Sequence, residues 1–151
     1  MENNPEKLAA QQGQPTLEEL AQILKETKTI ATVGLSNKPD RPGYTIPAYL
    51  QQQGYRIIPV NPDLSEALGE KAYASLRDIP EPVDVVQIFR LPEAVPPIVE
   101  DAIAIGAKVV WMQLGIRNEA AAQRARAAGL QVVMNTCMGQ THRLLRARRT
   151  I

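Results

Sequence analysis

Thr29-Ile30-Ala31-Thr32-Val33-Gly34 is a short apolar, β-branched run halted by glycine, and a polar loop follows it, Leu35-Ser36-Asn37-Lys38-Pro39-Asp40-Arg41-Pro42-Gly43. The run reads as a buried strand, the loop as the turn out of it, and Tyr44 to Gln53 as a helix closed by Gly54. The same alternation recurs downstream. Tyr55 to Val60, Val83 to Phe89, Lys108 to Leu114 and Gln131 to Met134 read as the second to fifth strands. Helices are expected from Glu93 to Ile105, from the Asn118 cap to Gly129, and after the fifth strand, with a short helical turn over Ser75 to Ile79. Gly54, Gly106 and Gly129 each stand between a helix and the next strand, the usual place for a left-handed helix stop. Strands apolar throughout, rather than alternating, are covered on both faces. The expected fold is α/β: a doubly wound, Rossmann-like parallel sheet of five strands in the order 3-2-1-4-5.

Upstream of this unit, Thr16 and Glu19 form a capping-box pair, and Leu17, Leu20, Ile23 and Leu24 recur at helical spacing. Residues 1–15 are polar and read as a flexible N-terminal arm, leaving 16–151 as one domain.

Composition excludes several functional classes. Seventeen basic against sixteen acidic side chains give a formal charge of +1, no field for non-specific nucleic-acid binding. Arg143, Arg146, Arg148 and Arg149 read as a solvated helix end. One cysteine and one histidine rule out an internal disulfide and argue against a structural zinc site. No apolar run approaches the roughly 20 residues of a membrane span, and the N-terminus has no signal-peptide core. A soluble, cytoplasmic protein with no membrane partner is expected.

In an open parallel sheet, ligands sit beyond the carboxyl ends of the strands where the winding reverses. With the order above, that place lies between the loops after the first and fourth strands, 34–43 and 113–115. The first loop suits phosphate. Gly34 admits close backbone approach, Ser36 offers a hydroxyl, Lys38 and Arg41 supply charge, and a helix N-terminus begins near Gly43. A nicotinamide dinucleotide suits it poorly: after Gly34 no glycine occurs until Gly43, and Asn61 stands where a ribose-binding carboxylate is expected.

Taken together, Val33 to Pro42 with Tyr44, Gly54 to Pro62, Pro82 to Val86, Phe89-Arg90, Trp111 to Gly115 and the stretch from Cys137 to His142 resemble the small stand-alone CoA-binding domain proteins. Those proteins are similar in fold to the CoA-binding domain of the succinyl-CoA synthetase alpha chain. The resemblance covers roughly 28–145 and implies coenzyme A, or an acyl-CoA, as ligand. It implies phosphates on Gly34, Leu35, Ser36, Lys38 and Arg41, with Tyr44 beside them, and the adenosine end against Val60, Asn61 and Pro62. Phe89, Arg90 and Pro92 would border the ligand, and Gln113, Leu114 and Gly115 would line the far side. Gly43 and Asn135 depart from the family pattern, which favours a small polar residue and an aspartate there.

No catalytic set emerges. Cys137 follows the fifth strand, either as an inert buried residue or as a thiol near the ligand; His142 reads as a helix-surface or capping residue. The expected function is a CoA-binding module without a complete catalytic site. The alternative is an enzyme subunit, acyl-CoA ligase-like or an NAD(P)-dependent oxidoreductase, that needs a partner chain. Apolar helix faces leave room for a homodimer.

Overall fold

The computed structural model describes residues 13–151. Helix α1 (Leu17–Glu26) is followed by strand β1 (Thr29–Val33), helix α2 (Pro42–Gln52) and strand β2 (Arg56–Val60). A small hairpin comes next, β3 (Glu66–Ala67) and β4 (Glu70–Lys71), then a 3-10 turn at Leu76–Asp78. The chain continues through β5 (Val85–Ile88), α3 (Val95–Ala104), β6 (Val109–Met112), α4 (Glu119–Ala127), β7 (Gln131–Val133) and α5 (Met138–Ala147). The capping box at Thr16 and Glu19 forms as the sequence indicates, and the Asn118 side chain caps α4 through the Ala121 N–H.

Five parallel strands make the sheet, an α/β Rossmann-like arrangement as expected, but their order is β2-β1-β5-β6-β7. Counted along the five-stranded sheet this is 2-1-3-4-5, which corrects the expected 3-2-1-4-5. The reason lies at the outer edge of β2. Tyr73 N–H donates to Pro59 O at 3.0 Å and Asn61 N–H donates to Tyr73 O at 2.9 Å, so the returning chain occupies that edge. Pro59 has no N–H to give there, and a proline belongs on an edge strand. The third sheet strand therefore crosses to the other side of β1. Asp84 fixes its arrival, its carboxylate accepting from the Lys28 and Thr29 N–H groups at 2.9 and 3.0 Å.

Side chains alternate across the sheet into two cores. Ala31, Ile58, Val86 and Val110 pack with α3 and α4, while Ile30, Ile57, Val85 and Trp111 pack with α1, α2 and α5. Of the arm expected over 1–15, residues 1–12 lie outside the described residues. Gln14 is tied down: its side-chain amide donates to Met134 O and accepts from Met134 N–H, at 2.6 and 2.9 Å.

The hairpin turn at Leu68-Gly69, both with positive φ (53° and 75°), was not legible, because leucine is a poor sign of left-handed backbone.

Candidate functional site

Because α2 leaves β1 toward one face and α3 follows β5 toward the other, the winding reverses between β1 and β5. The crevice rule then places a ligand between the loops after these two strands, not between the first and fourth as the expected order required. A cleft of about 730 Å³ opens there, within the usual size range of small-molecule sites. Its walls come from four loops: Gly34, Ser36, Arg41, Pro42, Gly43, Thr45 and Ile46 after β1; Phe89, Arg90, Leu91 and Pro92 after β5; Gln113, Leu114, Gly115 and Ile116 after β6; Cys137 and Gln140 after β7.

Gly34 is the pivot of this geometry. Its φ is +87°, and a Cβ built on it would lie 2.6 Å from the Phe89 carbonyl oxygen and 3.3 Å from Arg90 Nε. Only glycine lets the two loops meet so closely. Ser36 N–H donates to Gly43 O at 3.1 Å and the Ser36 hydroxyl accepts from Lys38 N–H at 3.0 Å, folding the loop back onto the start of α2. With proline at the first helical position and no side-chain cap from Arg41, the Gly43 N–H has no backbone acceptor among the described residues and can meet an anion.

The electrostatics of the wall are one-sided. Arg41 and Arg90 line it, and among the described residues no carboxylate does. Away from the cleft Arg56 pairs with Glu81, Arg77 with Asp101, Arg117 with Glu119 and Arg124 with Glu100, whereas the arginines at the end of α5 make no ion pair among the described residues. Among the described residues Lys38, Arg41 and Arg90 make no ion pair.

Beneath the cleft floor runs a buried polar relay. Thr32 Oγ1 donates to Gln87 Oε1 at 2.8 Å, Gln87 Nε2 donates to Gln113 Oε1 at 3.1 Å, and Met138 N–H donates to the same Gln113 oxygen at 3.0 Å. It ties β1, β5 and β6 to the first residue of α5.

Of the residues singled out from sequence, Gly34, Ser36, Arg41, Phe89, Arg90, Pro92, Gln113, Gly115 and Cys137 come together in this cleft. Lys38 is exposed on the same loop but outside the lining, and Tyr44 is half-buried on α2. The side chains of Leu35 and Val60 are in the two cores. Asn61 is a loop tie, donating from Nδ2 to Leu35 O and accepting from Asp63 N–H, both at 2.9 Å, with Pro62 exposed beside it. These two therefore border the β1 loop without lining the cleft. Sequence reasoning missed Thr45, Ile46, Ile116 and Gln140 as wall residues and had Leu91 only as part of a loop flanking the crevice. Leu91 and Leu114 are 69% and 64% exposed, and an apolar residue in a loop beside proline or glycine was the available signal.

His142 is neither on the surface nor a cap. It is buried on α5, accepts or donates at Nδ1 with Tyr49 OH at 2.8 Å, and packs edgewise on the Tyr49 and Tyr55 rings. Burial, helped by the Arg146 charge, lowers its pKa below the ordinary 6.5. It is held by Tyr49 and Tyr55 and is not among the residues that line the cleft with Cys137. Among the described residues no cluster of metal-ligating groups occurs and no helix is long and apolar enough to cross a membrane.

Comparison with known proteins agrees with this geometry. The uncharacterized protein YneT of Bacillus subtilis (strain 168) is 42% identical over 128 residues, covering 85% of this chain and 95% of YneT. A hypothetical protein from Pyrococcus horikoshii OT3 superposes with a TM-score of 0.89 at 41% identity, over 96% of this chain and 99% of that one. An ADP-forming acetate–CoA ligase of Archaeoglobus fulgidus is 35% identical over 83 residues, 54% of this chain but only 12% of the ligase. The family described as the CoA binding domain matches residues 28–143, the whole sheet and its cleft, and this chain belongs to that family.

Proposed function

We propose that this protein binds coenzyme A or an acyl-CoA in the cleft at the carboxyl ends of the sheet, as a binding module with no complete catalytic site of its own. The observation that carries this reading is the wall formed by the described residues: two arginines, an uncapped helix N-terminal N–H and no carboxylate, around a glycine that lets backbone approach an anion. These groups fit the phosphates of coenzyme A. Arg41, Ser36 and the Gly43 N–H would hold them on one side and Arg90 on the other, while Phe89, Ile116 and Leu114 offer apolar surface to the rest of the ligand. The adenosine end is assigned to the neighbourhood of Asn61 and Pro62, beside the β1 loop. When bound, coenzyme A supplies a thiol for acyl transfer; the chain's own part is to bind and orient it.

A dinucleotide is disfavoured because the position directly after β2, where a ribose-binding carboxylate is expected, holds Asn61, an amide committed to Leu35 O and the Asp63 N–H. Calorimetric titration with coenzyme A, dephospho-CoA, NAD and ATP tests the reading. Coenzyme A is expected to bind tightest, and binding no tighter than that of NAD or ATP would overturn it.

A second reading, a partner-dependent ligase subunit, draws on the matching segment within the ADP-forming acetate–CoA ligase. Under the binding-module reading the purified chain forms no ADP from ATP, acetate and coenzyme A. ADP formation on adding a partner chain would favour the second.

A further inference from the structure

We propose that Cys137 is a thiol–disulfide exchange site for the ligand, taking the coenzyme A thiol from CoA disulfide to give a reversible protein–CoA mixed disulfide. This rests on the coenzyme A reading of the cleft. Cys137 is the chain's one cysteine; it is free, 7% exposed, and one of the residues of the cleft wall at the start of α5. Thr136 N–H donates to Met112 O at 3.3 Å, which sets Cys137 just past the end of β6, two strands from the phosphate-type groups after β1. Two strand spacings are about 10 Å. The pantetheine arm has a backbone of amides and methylenes about 14 Å long when extended, so it covers that span.

A second observation points to the same end of the cleft. Gln113 is 3% exposed, and its Oε1 is fully used by Gln87 Nε2 and the Met138 N–H. Those two donors fix which way the amide faces. Its Nε2 has no acceptor among the described residues, and since none of their buried side-chain polar atoms is left unpaired, this donor opens onto the cleft that Gln113 and Cys137 both line, where it can meet a ligand carbonyl. Pantetheine carries two such carbonyls along the arm that ends in the thiol. The donor and the thiol thus sit where the amides and sulfur of one arm would lie.

The exchange balances without an added oxidant. The Cys137 thiolate attacks one sulfur of CoA disulfide, the S–S bond breaks, a Cys137–CoA disulfide forms, and the released coenzyme A thiolate takes up the proton. Cys137 is oxidised and the departing coenzyme A is reduced.

Intact-mass measurement after incubation with CoA disulfide tests the proposal, with calorimetric titration of coenzyme A on the same sample. The expected result is one adduct of coenzyme A less two hydrogens, absent in Cys137→Ser and removed by dithiothreitol. It should form at least about tenfold faster than the adduct with hydroxyethyl disulfide, because the bound nucleotide holds the sulfurs together. A thioether analogue of coenzyme A, which cannot exchange, should protect Cys137. No adduct overturns the proposal: with binding heat retained the coenzyme A reading stands, and with none it falls too. An adduct that forms equally fast with hydroxyethyl disulfide, or without protection by the thioether, marks a merely accessible thiol and also overturns it.

Discussion

At Gly34 a single hydrogen atom decides whether two loops can meet. The φ of +87° disfavours any L side chain, and the obstructing atom 2.6 Å away is the Phe89 carbonyl oxygen, which belongs to backbone and cannot swing aside. Gly34→Ala is therefore expected to lose about 1–3 kcal/mol of stability and at least about tenfold in coenzyme A affinity. Denaturant unfolding and calorimetry on the same variant measure both; wild-type values would mean the loops separate without cost. The cations around it should differ in weight. Arg41 lines the cleft and Lys38 does not, so Arg41→Ala should weaken coenzyme A by about tenfold, the scale of one charged hydrogen bond. Lys38→Ala should cost a few-fold at low ionic strength and fade with added salt, as a solvated charge does. Equal, salt-independent losses would contradict that ranking. Gly34 and Arg41 were legible because a glycine ending an apolar run and a cation in the following loop carry their meaning locally. Gln113 was legible only as a residue in a loop. Its relay joins partners far apart in sequence, Thr32, Gln87 and Met138, and no local pattern encodes that.

At the scale of elements, the pairing of α2 with α5 holds two walls of the cleft together. Tyr49 on α2 bonds His142 on α5, Arg143 stacks on the Tyr49 ring at 4.4 Å, and Gly139 packs against Ile46. Met138, Thr141, His142 and Leu145 fall at helical spacing and are all buried, so the stripe that hides the histidine was present in the sequence. It was misread because threonine and histidine do not look apolar. Burial lowers the His142 pKa from its ordinary 6.5 in the folded protein. Above that value the ring is neutral in both states and adds no pH dependence. As pH falls below about 6.5, the unfolded chain takes up a proton that the folded one refuses, and stability declines until the folded pKa is passed. Asp84 does not confuse this window. Burial raises its pKa, but the Lys28 and Thr29 N–H groups and Lys108 outweigh that, so it titrates below its usual 3.8. Between pH 7 and pH 5 the wild type should lose stability by no more than about 1.4 kcal/mol per pH unit, the limit for one proton. His142→Gln, which can still accept from Tyr49, should flatten the profile. An equally steep profile in the variant would assign the acid sensitivity elsewhere.

For the molecule as a whole, the strand order determines where the cleft opens. The alternation of strands and helices made the doubly wound class plain, yet the order was misjudged although Pro59 carried the clue. A proline in the middle of an apolar run, with its carbonyl and missing N–H facing one side, marks that side as an edge. β2 then cannot lie inside the sheet, and the reversal moves to β1 and β5. This geometry gathers the loops after β1, β5, β6 and β7 at the carboxyl end of the sheet and leaves 53–55, 105–108 and 128–131 at the amino end. Ligand binding at saturating coenzyme A should raise stability by about 2.7 kcal/mol at one hundred times Kd, and the melting temperature with it. The gain should not be spread evenly. Hydrogen exchange is expected to slow most in 34–45, 89–92, 113–116 and 138–140, and in 61–64 where the adenosine end is assigned, while the amino-end loops keep their free-state rates. Salt should reverse the protection in 34–45 first, because that loop holds the uncommitted Arg41 and Lys38. Equal protection at both ends of the sheet would indicate global tightening and remove the localised cleft as the site. Protection confined to the amino end would place the ligand on the wrong side of every strand and overturn the crevice assignment altogether.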